Sequence, residues 1–348
     1  MSLTSDSIEF SPGVFIHRLQ LPIPGGHLNY ANAYLVEGDI DNGALLVDTG
    51  WNTEETFDYL KTKLATKPTD TAGIGVEFEE VRQIVVTHAH PDHYGLADKL
   101  RHRCGARVYM HELERDIIQS RYTSMDELLE DIAKSLEVNG VPPDELSKLQ
   151  KASLPMRKFV DPTLPDIALH GGETITTGYF NFEVFWTPGH APGHICLYEP
   201  DKKILLSGDH ILPTITTHVG LHPQSGSNPL GDYLASLNRL KELEVEMVLP
   251  GHGQPFTNFR SRVEELIRHH ELRNAQILSA LNPESKTAYQ IANEITWVDD
   301  ANGISLDKLD HWNRRMAVLE TMSHLEAMRA NREVDRFSQD DIIHYQRH

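Results

Sequence analysis

The chain has 348 residues, room for one large domain or for a domain of about 250 residues with a smaller companion. Its 39% hydrophobic content supports a core, and no stretch approaches the roughly 18 consecutive apolar residues of a membrane span. The formal charge of −19 repels a polyanion at long range, and two cysteines, Cys104 and Cys196, are too few for a disulfide framework or a paired-cysteine zinc ribbon.

Residues 1–7 are polar, so neither a signal peptide nor a membrane partner is expected, and the predicted location is cytoplasmic. Val14-Phe15-Ile16, Asn32-Ala33-Tyr34-Leu35-Val36 and Ala44-Leu45-Leu46-Val47-Asp48 read as short strands, the last two joined by the hairpin signal Asp41-Asn42-Gly43. Residues 53–64 predict a helix, with Thr53 as N-cap and Glu54 and Glu55 in the first turn. Ile84-Val85-Val86-Thr87 predicts a buried strand, residues 96–103 a helix, and Ala106-Arg107-Val108-Tyr109 the next strand. Alternation of this kind predicts an α/β layered domain.

Residues 124–152 depart from that pattern. A helix begins near Met125 and ends at Gly140, and Pro142-Pro143-Asp144 opens a second one. Two helices between strands predict an insertion, at about residues 120–155, of the kind that carries substrate lids. Strands resume at 174–175, 182–186, 195–198 and 204–206. After Pro255 helices are predicted at 262–281, 287–295 and 310–331. The expected division is therefore residues 1–258 and a mainly helical 259–348.

Twenty histidines make metal binding a question of spacing. Thr87-His88-Ala89-His90-Pro91-Asp92-His93 follows a strand end and turns at a proline, which can present imidazoles and a carboxylate to two adjacent cations. Thr187-Pro188-Gly189-His190-Ala191-Pro192-Gly193-His194 is a glycine-proline loop after a strand. Leu205-Leu206-Ser207-Gly208-Asp209 and Val248-Leu249-Pro250-Gly251-His252 are apolar strands ending in a ligand type. Layered α/β folds gather their sites at such strand ends.

This ordered set resembles the dinuclear motifs of the metallo-β-lactamase superfamily over residues 8–258, nearest to its hydroxyacylglutathione hydrolase, lactonase and ribonuclease Z branches. The resemblance implies a four-layer αββα fold. It puts one metal on His88, His90 and His190 and a second on Asp92, His93 and His252, with Asp209 bridging. Zinc is the first expectation, and iron or manganese also suits these ligands. A carboxylate at Asp209, where true β-lactamases of the superfamily commonly place a cysteine, points away from antibiotic cleavage. His194 is expected to pack, or to support a ligand. Asp48 matches a position that supports the metal site by hydrogen bonding, and it equally reads as a turn aspartate. His102, His111, His269, His270, His311, His324, His344 and His348 are expected to be solvated or packed. His27, His210, His218 and His222 fall in loops that could border the site, and Tyr94 reads as packing or as a bond near the metals.

Two bridged cations would lower the pKa of a shared water from about 16 towards 7. The expected reaction is therefore attack by a metal-bridging hydroxide on a small thioester, ester or lactone, with Asp92 and Asp209 as catalytic carboxylates. Residues from about 262 resemble the winged-helix-like domain of one superfamily branch, with Thr287-Ala288-Tyr289-Gln290-Ile291-Ala292 as its helix-turn-helix segment. Some members of that branch cleave RNA, so an endoribonuclease or phosphodiesterase is the alternative. The acidic interruptions at Asp299, Asp300, Asp307 and Asp310 favour packing on the lid, or on a second subunit as a homodimer, over nucleic-acid binding.

Overall fold

The computed structural model describes residues 5–23, 28–65, 74–281, 284–297 and 303–348. His27, Asp299 and Asp300 lie outside them. An antiparallel meander opens the chain: β1 (Ser5–Ser11), β2 (Val14–Pro22), β3 (Tyr30–Val36) and β4 (Ala44–Val47). After α1 (Glu54–Ala65), whose first turn is capped by Thr53 Oγ1 accepting from Thr56 N–H, the sheet continues in parallel. Its later strands are β5 (Val81–Val85), β6 (Arg107–His111) and β7 (Ile167–Leu169). Between β5 and β6 lie α2 (Pro91–Tyr94) and α3 (Ala97–Cys104). Between β6 and β7 lie α4 (Glu112–Ile118), α5 (Met125–Val138) and α6 (Pro143–Gln150).

The second sheet holds β8 (Thr174–Thr176), β9 (Asn181–Trp186), β10 (Ile195–Glu199), β11 (Ile204–Gly208) and β12 (Met247–Pro250), with α7 (Pro229–Lys241) before the last strand. β12 pairs in parallel with β11, so both strands end at the same edge. Residues from both sheets, including Val36, Val47 and Val85 from one and Phe182, Leu197 and Leu206 from the other, form the central core. The outer face of the first sheet packs on Leu60, Leu64 and Leu100 of α1 and α3, and that of the second on Tyr233, Leu237 and Val263. The fold is thus the expected αββα sandwich.

The chain ends in α8 (Phe259–Ala280), α9 (Ala288–Glu294), α10 (His311–Ala330) and the hairpin of β13 (Val334–Gln339) and β14 (Ile342–Arg347). The hairpin adds strands to a region expected to be mainly helical. α8 serves both parts of the protein: Phe259, Val263 and Leu266 pack on the second sheet, while Ile277 joins Val318 and Met322 of α10. That last core also takes Leu136, Val141 and Leu149 from the helical insertion. The insertion and the C-terminal helices therefore share one apolar interior above the sheet edge. None of the described helices is long and apolar enough to cross a membrane.

Candidate metal centre

The parallel pairing of β4 with β5 and of β11 with β12 brings four strand ends to one edge. Asp48 follows β4, residues 87–93 follow β5, Asp209 follows β11 and His252 follows β12. The loop between β9 and β10 delivers His190 to the same place.

Their donor atoms converge. His88 Nε2 is 2.9 Å from His90 Nδ1 and 3.3 Å from His190 Nε2, and the last two nitrogens are 3.0 Å apart. A tetrahedral ion about 2.05 Å from each would hold them about 3.3 Å apart, so this triangle has the size of a metal tripod. Beside it, His93 Nε2 lies 3.4 Å from Asp209 Oδ1 and 3.7 Å from Asp92 Oδ2. His252 Nε2 lies 3.2 Å from Asp92 Oδ2 and 3.5 Å from Asp209 Oδ2. Asp209 Oδ2 is also 3.7 Å from His190 Nε2, so Asp209 faces both groups. His93 Nε2 and Asp209 Oδ1 are buried with no hydrogen-bond partner, a costly arrangement unless a cation completes it. The donor set therefore fits divalent metal.

The far nitrogens are tied down, which fixes the rings. His93 Nδ1 donates to Asp48 Oδ2 at 2.8 Å, His190 Nδ1 to His218 O at 2.8 Å, and His252 Nδ1 to Tyr30 O at 3.0 Å. Thr87 Oγ1 lies 3.1 Å from His88 Nδ1 and donates to Asp48. His194 is not in the cluster. Its Nε2 accepts the Asp209 N–H at 3.1 Å while Nδ1 donates to Thr187 Oγ1, so it positions Asp209.

Burial disfavours charge on these imidazoles and keeps His88, His90 and His190 below the usual histidine range, the neutral form a metal requires. In His93 and His252 burial acts the same way but Asp209 and Asp92 outweigh it, raising both, His252 to about 10. Burial likewise resists ionisation of Asp209, yet His252 and His93 hold it well below the usual carboxylate range, and Asp92 is lowered too. The pocket is thus built for added positive charge.

Other residues that sequence reading passed over complete the site. Glu114 of α4 is fully buried, and its carboxylate accepts the Ala89 N–H and the Gly193 N–H, each at 2.8 Å. It joins the two histidine loops. A Cβ on Gly193 would meet Glu114 N at 2.8 Å, so glycine permits the approach. Asn32 Nδ2 donates to Pro250 O and Gly253 O, both at 2.8 Å, and fixes the turn that carries His252. Tyr94 bonds Thr163, not the cluster. His111 caps α4, His210 is buried beside Tyr233, and His270 and His324 are buried against each other. His218 and His222 line the cavity above the centre.

That cavity, about 1360 Å³, opens from His90, Asp92, His190, Asp209 and His252. Its walls come from the insertion (Met125, Leu128, Ile132), the C-terminal region (Trp297, Met316) and a stacked pair, Trp51 and Phe159, with ring centroids 4.0 Å apart.

Fold and site define a metal-dependent hydrolase. The chain belongs to the metallo-β-lactamase superfamily, whose pattern matches residues 28–252. It is 27% identical over 316 residues to a probable metallo-hydrolase of Bacillus subtilis, YqjP, covering 90% of this chain and 92% of that protein. It is 30% identical over 233 residues to the acyl-coenzyme A thioesterase MBLAC2 of Gallus gallus, covering 66% of this chain and 74% of that one. Among solved structures, a metallo-beta-lactamase family protein from Thermus thermophilus is similar with a TM-score of 0.77 at 31% identity, covering 98% of this chain and 100% of the other. A beta-lactamase domain protein from Burkholderia ambifaria has a TM-score of 0.74 at 26% identity, with 99% and 95% covered.

Proposed function

We propose that the protein is a dinuclear hydrolase of thioesters, and of related esters or lactones. The observation that carries this reading is the pair of converging donor groups that share Asp209 on the floor of a large, mostly apolar cavity. His88, His90 and His190 would hold one ion and Asp92, His93 and His252 the other, with Asp209 within reach of both groups; zinc is the preferred metal. Two bound divalent cations supply Lewis acidity and a water acidified into the neutral range. Asp92, its side chain 22% exposed against 12% for Asp209, is the carboxylate that faces incoming water and orients it. Tyr122, the tyrosine among the described lining residues, already donates its hydroxyl to Ala89 O, which leaves it unsuited to protonating a leaving group. A thiolate or a stabilised alkoxide departs without that help. The name of the Gallus gallus relative supports a thioester.

The three C-terminal helices and their hairpin support a winged-helix-like unit beginning near residue 259, but not one that reads nucleic acid. α10, the last helix of that unit, buries most of its residues and packs on α6, α7, α8 and α9. We therefore assign the C-terminal region to the cavity wall.

The test is hydrolysis of a thioester, a lactone, an aryl ester, a phosphodiester and single-stranded RNA by zinc-loaded protein and by Asp209→Ala, with metal counted in each. Acyl turnover lost in the variant, with about two metals per wild-type chain, is the expected result. RNA cleavage alone would overturn it.

A further inference from the structure

The charge of the cavity runs against that of the chain. The protein has 51 acidic and 32 basic side chains. Yet beyond the metal centre the described lining presents Arg121, Arg157, Lys158, Arg273 and Arg315, with Glu320 as its sole carboxylate. Glu320 belongs to Arg273, 4.0 Å from its Nε. No ion pair to Arg121 or Arg315 exists among the described residues.

Arg315, on α10, is 5% exposed. Its Nη1 reaches Leu149 O, Gln150 O and Ser153 Oγ, all at 3.3 Å, its guanidinium lies 4.8 Å from the centre of the Trp312 ring, and its Nε has no partner. Long bonds to neutral acceptors do not offset the cost of burying a guanidinium. Arg121 donates through Nε to Gln224 Oε1 at 3.0 Å, while its Nη1 is buried and unpartnered. Burial and the nearby charge of Arg121 bring Arg315 down to about 10. Two neighbouring cations with spare donors and no counter-charge describe half of an ion pair.

We infer that Arg121 and Arg315 form a subsite for an anionic group of the substrate, a carboxylate or a phosphate, on the wall between the insertion and α10. Arginine forks match both groups. His218 sets the subsite beside the reacting centre: its carbonyl accepts from His190 Nδ1, and its Nε2 donates to Met316 O, the residue after Arg315, at 3.0 Å. A substrate anchored here lays its apolar part along Met125, Leu128 and Ile132. The identity of the reacting bond rests on the thioesterase reading above; the anion subsite does not.

The experiment compares selectivity ratios in wild type, Arg121→Gln and Arg315→Gln. One ratio is kcat/KM for butyryl-coenzyme A over butyryl-pantetheine, and the other is glutaryl over butyryl thioester of N-acetylcysteamine. Calorimetry of coenzyme A and glutarate binding runs alongside on the same metal-loaded proteins. The expected result is a wild-type preference for one anionic partner that falls roughly 10- to 100-fold in each variant, the range for one charge-assisted hydrogen bond. A fall in the first ratio identifies phosphate and in the second carboxylate. Equal loss on charged and neutral substrates, or unchanged ratios, overturns the subsite. Arg121→Gln decides alone if Arg315→Gln does not fold. If wild type cleaves no thioester, the thioesterase reading fails; coenzyme A or glutarate binding that weakens about 10-fold in Arg121→Gln then upholds the subsite, and its absence removes both.

Discussion

The Asp48 carboxylate accepts the Nδ1 proton of His93 at 2.8 Å and, through its other oxygen, the backbone N–H of Thr87 at 2.8 Å. One buried side chain thereby fixes both the end of β5 and the imidazole that leaves it. The geometry needs Asp48 in the left-handed region, φ 63°, which costs about 1–2 kcal/mol and which aspartate tolerates better than most residues. With the proton on Nδ1, the His93 Nε2 lone pair faces Asp209. Asp48→Ala is expected to fold and to bind zinc roughly 10- to 100-fold more weakly, as loss of such a supporting carboxylate does elsewhere. Competition against a chromogenic chelator measures this, and wild-type affinity in the variant would refute the orienting role.

Glu114 joins loops that are 104 positions apart in sequence, between Ala89 and Gly193. In Glu114→Gln the amide NH₂ faces one of the two N–H groups, so one buried donor is left unpaired at about 1–3 kcal/mol. For a domain of this size that corresponds to a melting point roughly 2–10 °C lower. Calorimetry on the zinc-loaded variant checks it; an unchanged melting point would mean that the clamp contributes nothing.

The convergence of the site's histidines and aspartates was legible because each ends an apolar strand or follows a proline-glycine turn, so local pattern and chemistry coincide in residues 87–93, 187–194, 205–209 and 248–252. The alternation of strands and helices pointed to an α/β layered domain, and only the resemblance of the motif set implied its αββα form. Glu114 was not legible, since Glu112-Leu113-Glu114-Arg115 reads as a solvated helical turn and only the tertiary fold buries it. The β13–β14 hairpin was hidden for the opposite reason: after Val334 the strand is exposed throughout and lacks apolar alternation. Nor does any local pattern reveal that Leu136 and Leu149 share a core with Val318, or that Arg121 and Arg315 face one cavity. Those are long-range facts.

Gly251 is a tight point beside Asp209. A Cβ there would stand 2.4 Å from Asp209 Oδ1 and 2.8 Å from His93 Cε1. Gly251→Ala is expected to retain the fold, because the two closest clashes are with side chains and the Gly208 backbone stands at 3.0 Å, yet to displace Asp209 and lower kcat/KM by about 100-fold or more. Metal analysis should find fewer than two ions per chain. Full occupancy with full activity would show that Asp209 has freedom the packing denies it.

Acid should loosen the seam between α8 and α10 before it attacks the sheets. His324 Nδ1 donates to Asn274 Oδ1 at 2.6 Å, and its Nε2 accepts from His270 Nδ1 at 3.3 Å, a chain that needs His324 neutral, while burial disfavours charge on His270. Tyr233, His269 and Arg273 face the same pair and supply no negative charge. Burial, then the charges of His269 and Arg273, lowers His270 to about 3, and His324 is lowered for the same first reason. Folded-state values below the unfolded 6.5 mean that the unfolded chain binds more protons between them. The stabilisation is therefore complete above pH 6.5 and declines as the pH falls towards about 3. Thermal melts of the protein from pH 7 to pH 4.5 should show a falling melting point, and His270→Leu should show a shallower slope whatever its starting value. Equal slopes in the two proteins would place the acid-sensitive groups elsewhere, and hydrogen exchange would then be expected to open the sheets and not α8 and α10.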